Sequence, residues 1–394
     1  MTRDKRTLAV HAGTRRSQYS EMSEAIFMTQ GFVYESAEAA EARFEQAGED
    51  EFIYARYGNP TVRMFEERIA ALEGAEDGFA TASGMAAVHG ALAAMTQAGD
   101  HVVAARALFG SCLYVLEEVL ARFGVQVTLV DGLDLDAWAQ AITPNTKLVF
   151  FESISNPTLE VIDIAAVAKL AHAAGALVVV DNVFSTPVYS NAIPLGADVV
   201  IYSATKHIDG QGRGLGGVIL GSKEIIRSIV EPFMKHTGGA MSPFNAWMMV
   251  KSLETLDLRV RAQVATATEL AGLLEQRGDL ARVIYPGLPS HPQFALTQAQ
   301  MGAGGTVLAI DVGSKVRAFS MINALEIMLI SNNLGDSKSI ITHPATTTHQ
   351  RLPQDQKDLL GIMPGLLRLS IGLESAKDLN SDLQAALDVA FLSD

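Results

Sequence analysis

The sequence predicts an α/β protein with a mostly parallel sheet covered by helices on both faces, plus a smaller C-terminal α/β domain. Three observations carry this. The runs HVVAA from His101, KLVFFE from Lys147 and ADVVIYS from Ala197 are continuously apolar, as strands buried on both faces are. Between such runs lie stretches with helical apolar spacing, such as DIAAVAKLAHAAG from Asp163, which stops at Gly175. Beyond about Asp257 the texture shifts to TVLAIDV, AFSMINALEIM and DLNSDLQAALDVAFL, which reads as a second unit closing on the first.

Taken in order, residues 1–58 read as an N-terminal arm, rich in Ala and Glu with weak strand and helix signals. Residues 59–257 form the expected large domain. Its strands are HVVAA, VQVTLV from Val125, KLVFFE, ALVVVD from Ala176 and ADVVIYS. From Lys206 to Gly216 the chain is too short for a crossover helix before GVILG, so that strand is expected to pair antiparallel. Residues 258–394 form the smaller domain. No internal repeat, low-complexity tract or long linker is evident.

Composition narrows the function classes. Across 394 residues, hydrophobic side chains make up 48% and charged ones 19%, which fits a folded globular chain and not a disordered one. A formal charge of -14 argues against nucleic acid or an anionic membrane as partner. The single cysteine, Cys112, excludes an internal disulfide framework and fits a reducing compartment. The start, MTRDKRTLAVHAG, lacks the apolar core of a secretory signal. No run of about 18 apolar residues is present to span a bilayer. The expectation is a soluble, cytoplasmic protein.

In open parallel sheets, ligands bind beyond the carboxyl ends of the strands. Here KLVFFE runs out into Ser153-Ile-Ser155-Asn156-Pro157, ALVVVD ends at Asp181-Asn182, and ADVVIYS ends at Ser203, Thr205 and Lys206. A helix opening near Ser83-Gly84-Met85 adds free backbone N–H groups suited to an anion. The rim thus combines an anion cradle, one carboxylate and one lysine. A phosphorylated cofactor with an aldehyde and a basic ring nitrogen satisfies all three, and pyridoxal phosphate has those features.

Each member has a plainer reading. Lysine is ordinarily a solvated surface residue, Asp181 alone reads equally as a turn or helix cap, and Ser83 alone as an N-cap. The convergence on neighbouring strand ends carries the inference. Gly212, Gly214 and Gly217 spell G-x-G-x-x-G, but the motif leads into a strand where a dinucleotide site needs a helix. His343 and His349 lack the H-E-x-x-H form, and Cys112 has no ligand partner at useful sequence spacing. No metal site is expected.

Six ordered stretches identify a resemblance. They are YARYGNPT (Tyr54 to Thr61), ASGMAA (Ala82 to Ala87), ESISNPTLEVIDI (Glu152 to Ile164), VVDNVFSTP (Val179 to Pro187), SATKHIDGQGR (Ser203 to Arg213) and LRLSIGLE (Leu367 to Glu374). Over nearly its whole length the chain resembles the cystathionine synthase/lyase and sulfhydrylase family of fold-type-I pyridoxal-phosphate enzymes. The resemblance implies Lys206 as the Schiff-base lysine and Asp181 as partner of the ring nitrogen. It assigns Ser83, Gly84, Met85, Ser203 and Thr205 to the phosphate, and Asn156 to the ring's phenolic oxygen. Tyr54 and Arg56 would reach the phosphate from a neighbouring subunit, with Tyr54 also assisting proton transfer. That implies a homotetramer built as a dimer of dimers with shared sites.

The resemblance further implies Arg368 as the clamp on the substrate α-carboxylate, supported by Ser339. One departure stands out: Phe109 occupies the place where many relatives stack a tyrosine on the ring, so more of the proton transfer falls to Lys206. HIDGQGR after the lysine resembles the branch acting on O-succinyl-L-homoserine, implying γ-replacement by sulfide to give L-homocysteine. Related branches use the acetyl ester, form cystathionine or eliminate from methionine. Arg106 and Arg351 are the candidates for holding the distal succinyl carboxylate.

Overall fold

In the computed structural model, which describes residues 3–48 and 50–392, seven strands build the main sheet. They are β1 (Asp77–Thr81), β2 (His101–Ala105), β3 (Gln126–Val130), β4 (Thr146–Glu152), β5 (Leu177–Asp181), β6 (Val199–Ser203) and β7 (Gly217–Gly221). Their spatial order is β1-β7-β6-β5-β4-β2-β3. The β3, β2, β4, β5 and β6 neighbours pair in parallel. Strand β7 runs antiparallel to both β6 and β1, as the short Lys206-to-Gly216 connection requires.

Except at the edge strand β3, both faces of this sheet are dry. Along β4, Leu148 and Phe150 join the core on one side while Val149 and Phe151 join the core on the other. Period-2 alternation therefore exists in space but is invisible in sequence, because both faces are apolar. Each such fully buried side chain contributes roughly 1.5–3 kcal/mol. The helix Ile164–Ala173 covers one face; Asp163 caps it by accepting from the Ala166 N–H at 2.9 Å, and Gly175 leaves it at φ +78°.

Strand β1, sequence DGFAT, is one that residue patterning missed, because Gly78 and Ala80 dilute the apolar signal. Close packing explains the glycine: a Cβ at Gly78 would lie 2.7 Å from a Leu220 methyl.

A second sheet contains β8 (Arg282–Ile284), β9 (Val307–Asp311), β10 (Leu329–Ile330), β11 (Ile340–Thr342) and β12 (Leu366–Ser370), in the order β10-β11-β12-β9-β8. Apart from the β10–β11 pair it is antiparallel. The helices Leu256–Glu275 and Ala376–Leu392 cover it with a core of their own. The change of texture noted at Asp257 falls at the start of the first of these helices.

The first 58 residues contribute two short helices, Lys5–His11 and Ala37–Glu45, in otherwise irregular chain. Several apolar side chains stand open there, among them Tyr19, Met22 and Val33. No described helix is long and apolar enough to cross a membrane.

Candidate active site

The carboxyl ends of β4, β5 and β6 open onto a cavity of about 430 Å³. The register sets Glu152 of β4 directly beside Asp181 of β5. The cavity is closed from the other side by the segment Asn332–Leu334 and by Arg368 of β12. It therefore lies between the two sheets, with each supplying one cation.

One wall is the start of the helix Gly84–Ala94. Ser83 caps it, its Oγ accepting from the Ala86 N–H at 3.1 Å. This leaves the earlier N–H groups of Gly84 and Met85 outside that cap bond. Gly84 packs so tightly on β6 that a Cβ would lie 2.6 Å from the Ser203 Cβ. A side chain there would fill the space between helix start and Ser203. Thr205 faces the same space while its hydroxyl bridges Gly216, accepting from the Gly216 N–H at 3.1 Å.

Lys206 projects into the cavity, its Nζ donating to Oδ1 of Asn333. Burial, reinforced by the nearby Arg368 guanidinium and opposed by Asp181, lowers its pKa to about 8. Asp181 lies deep in the protein, where burial raises its pKa to about 6; the Val183 N–H, 3.1 Å from Oδ1, and the Lys206 charge act the other way.

Arg368 is buried, and burial lowers its pKa to about 10. Its Nη1 donates to Oδ1 of Asn156 at 2.9 Å, and its Nη2 to the Asn332 and Asn333 carbonyls at 3.0 and 2.9 Å. Its Nε has no partner, and it forms no ion pair among the described residues. A buried guanidinium held by neutral oxygens, with one N–H idle, is poised for an incoming carboxylate.

Ser83, Gly84, Met85, Phe109 and Asn156 thus line one cavity with Asp181, Ser203, Thr205, Lys206 and Arg368. Three expected residues do not. Ser339 is buried away from it, its hydroxyl donating to Glu374 at 2.8 Å and accepting from the Gly372 N–H at 2.8 Å; it braces the turn following β12. Tyr54 and Arg56 stand outside the cavity of their own chain. There the Arg56 guanidinium stacks over the Tyr57 and Tyr54 rings at 4.8 and 5.3 Å and reaches the Lys235 carbonyl.

Neither candidate for the distal carboxylate lines the cavity. Arg106 carries a positive charge that favours the ionised form of Glu160, and Arg351 is exposed. Lys206 and Arg368 are the only lining cations among the described residues. His343 spans Thr346 and the Pro364 carbonyl, while His349 pairs through Nδ1 with Thr348 and its buried Nε2 has no partner. Cys112, far in sequence from both Glu152 and Asp181, does sit with them, their ligand atoms within 4.8 Å of one another.

Patterning missed Asn333, Asn332, Thr348 and Glu152. The Asn332-Asn333 pair carries no local signal, because its place opposite Lys206 arises from the meeting of two sheets. Glu152 was visible as the polar end of KLVFFE, the same signal that singled out Asp181.

A helix start with free N–H groups, two hydroxyls, a deep carboxylate and a lysine of lowered pKa fit the phosphate, ring nitrogen and aldehyde of pyridoxal phosphate. Fold and cavity together define a pyridoxal-phosphate-dependent enzyme of fold type I. The chain belongs to the Cys/Met metabolism PLP-dependent enzyme family, whose model matches residues 6–388. It is 52% identical to O-succinylhomoserine sulfhydrylase of Mycobacterium tuberculosis, covering 97% of this chain and 95% of the relative. The O-succinylhomoserine sulfhydrylase of Pseudomonas aeruginosa is 49% identical over 97% and 94% of the two chains. Among solved structures, an O-acetylhomoserine (thiol)-lyase of Campylobacter jejuni, containing pyridoxyl-lysine phosphate, superposes with a TM-score of 0.94. It is 30% identical and covers 98% of this chain and 100% of the other.

Proposed function

We propose that this chain replaces the succinyloxy group of O-succinyl-L-homoserine by sulfide, forming L-homocysteine and releasing succinate. The observation that carries the chemistry is the meeting of Lys206, Asp181 and Arg368 at one cavity between two sheets. The likeness to the sulfhydrylases supports the choice of substrate.

In this reading Lys206 carries the cofactor, Asp181 keeps the ring nitrogen protonated, and Ser83, Gly84, Met85, Ser203 and Thr205 hold the phosphate. Phe109 and Asn156, which line the same cavity, would hold the ring. Pyridoxal phosphate supplies an electron sink for charge developing beside the substrate amine. Arg368 binds the α-carboxylate, its guanidinium being the one lining cation on that wall of the cavity among the described residues. With a pKa near 8 a far larger fraction of the Lys206 amine is neutral near physiological pH than for an ordinary lysine, so it can take the α-proton and return protons as succinate leaves. Asn333 holds that amine on the cavity side.

The reading extends to assembly and place. Tyr54, exposed on its own chain, and Arg56, stacked against it, complete a neighbour's phosphate site in a dimer, and two dimers form a tetramer. The arm, residues 1–58, joins them, while 59–257 and 258–394 are the two domains that close on the substrate. The protein works in the cytoplasm.

The test is to incubate purified holoenzyme with O-succinyl- or O-acetyl-L-homoserine, with sulfide or cysteine, and identify the products. Homocysteine and succinate from the succinyl ester with sulfide are expected. Preference for the acetyl ester, cystathionine as main product, or methionine cleavage as main activity would overturn the assignment. Sedimentation of the holoenzyme checks the tetramer.

A further inference from the structure

Glu152 is buried, has no cationic partner among the described residues and is given no role by the chemistry above. Its carboxyl oxygens are both used. Oε1 accepts from the Phe109 N–H at 2.7 Å and Oε2 from the Asn156 N–H at 3.1 Å. Those two residues sit on separate turns, one opening the helix Gly110–Tyr114 and one following β4, and both side chains face the cavity. Glu152 also lies beside Asp181 in the β4–β5 register. One carboxyl thus touches two walls of the cavity and the acid at its floor.

We propose that Glu152 is a positioning residue of the cofactor site: as a carboxylate it fixes the Phe109 and Asn156 turns, and it places a second negative charge behind Asp181. This inference rests on the cofactor reading above. Two backbone N–H donors favour the charged form. Against them, burial first and Asp181 second push the Glu152 pKa well up in the cofactor-free chain. A cationic ring held at Asp181 offsets the second pressure, because like charges crowded out of water are relieved by an opposite one. The other ionisable groups nearby are Cys112 from the helix Gly110–Tyr114, Lys206 beyond Asp181, and Arg368, which reaches Asn156 from β12.

Two variants separate charge from reach. Glu152→Gln keeps the length and removes the charge; Glu152→Asp keeps the charge and cannot span both N–H groups. In the holoenzyme we expect Glu152→Gln to lower the pH midpoint of the bound cofactor's visible absorption by about one unit, because a negative charge near a cation is lost. Glu152→Asp should leave that midpoint in place, weaken the visible circular dichroism of the cofactor and loosen its binding about tenfold. A merely structural role would lower the melting temperature of both and move neither optical signature. That result, or an unmoved midpoint in Glu152→Gln, overturns the proposal. Borohydride reduction of the wild type followed by peptide mapping is the control. Failure to find the label on Lys206 would discredit the cofactor reading itself, whatever the variants do.

Discussion

The two sheets feed the same cavity in different ways. The seven-stranded sheet delivers its groups at strand ends, where parallel connections leave the chain and Glu152, Asp181 and Ser203 stand side by side. The five-stranded sheet delivers Arg368 from the middle of an antiparallel strand, opposite Thr342 and Ala309. A parallel sheet therefore assembles a site by topology, while the antiparallel sheet contributes through the reach of one long side chain. In the function proposed above, groups of the first kind hold the cofactor and those of the second hold the substrate.

The sharpest way to break this division is at Lys206. Lys206→Ala should lower turnover by at least ~1000-fold, since it removes both the covalent link and the proton carrier. Turnover within tenfold of wild type would end the assignment. Arg368→Lys comes next. It should reduce kcat/KM about 100-fold through loss of bidentate contact, with the cofactor spectrum intact; altered cofactor binding would erase the boundary between the two sheets.

A pH measurement sharpens the comparison further. Capture of pyridoxal phosphate by the cofactor-free protein needs the neutral amine, so its rate should rise with pH through a midpoint near 8, below that of an ordinary lysine. Arg368→Met removes a positive neighbour and should move this midpoint upward; an unchanged midpoint would mean that the small sheet does not act on the lysine. The smallest effect is expected from Ser339→Ala. Because Ser339 braces Glu374 and Gly372 outside the cavity, it should cost about 1–2 kcal/mol of stability in denaturant unfolding, with kcat/KM changed less than threefold.

The same division governs what could be read from the sequence. Strands β2, β4, β5 and β6 announced themselves because burial on both faces leaves a continuous apolar run, and polar residues at the ends of β4, β5 and β6 marked the rim. The antiparallel return of β7 followed from counting residues. Strand β1 was lost because close packing against Leu220 demands a glycine where an apolar signal would help. Arg368 became legible only through family resemblance, since nothing in LLRLS alone distinguishes it from an exposed arginine. Asn333 and Thr348 were missed because loop residues owe their positions to distant segments. Arg106 and Arg351 show the converse. Charge in a sequence says nothing of direction, and neither arginine lines the cavity.

The segment between β6 and β7 is fastened at both ends by the pairing of Ser203 with Gly217 and tied internally. The Lys206 N–H donates to the Ser203 carbonyl, and the Gly210 N–H to the Lys206 carbonyl. The Lys206 amine hence extends from a backbone held by these bonds, at the end of its own four methylenes. Deuterium uptake at this amide should accordingly follow whole-molecule unfolding and not local fraying.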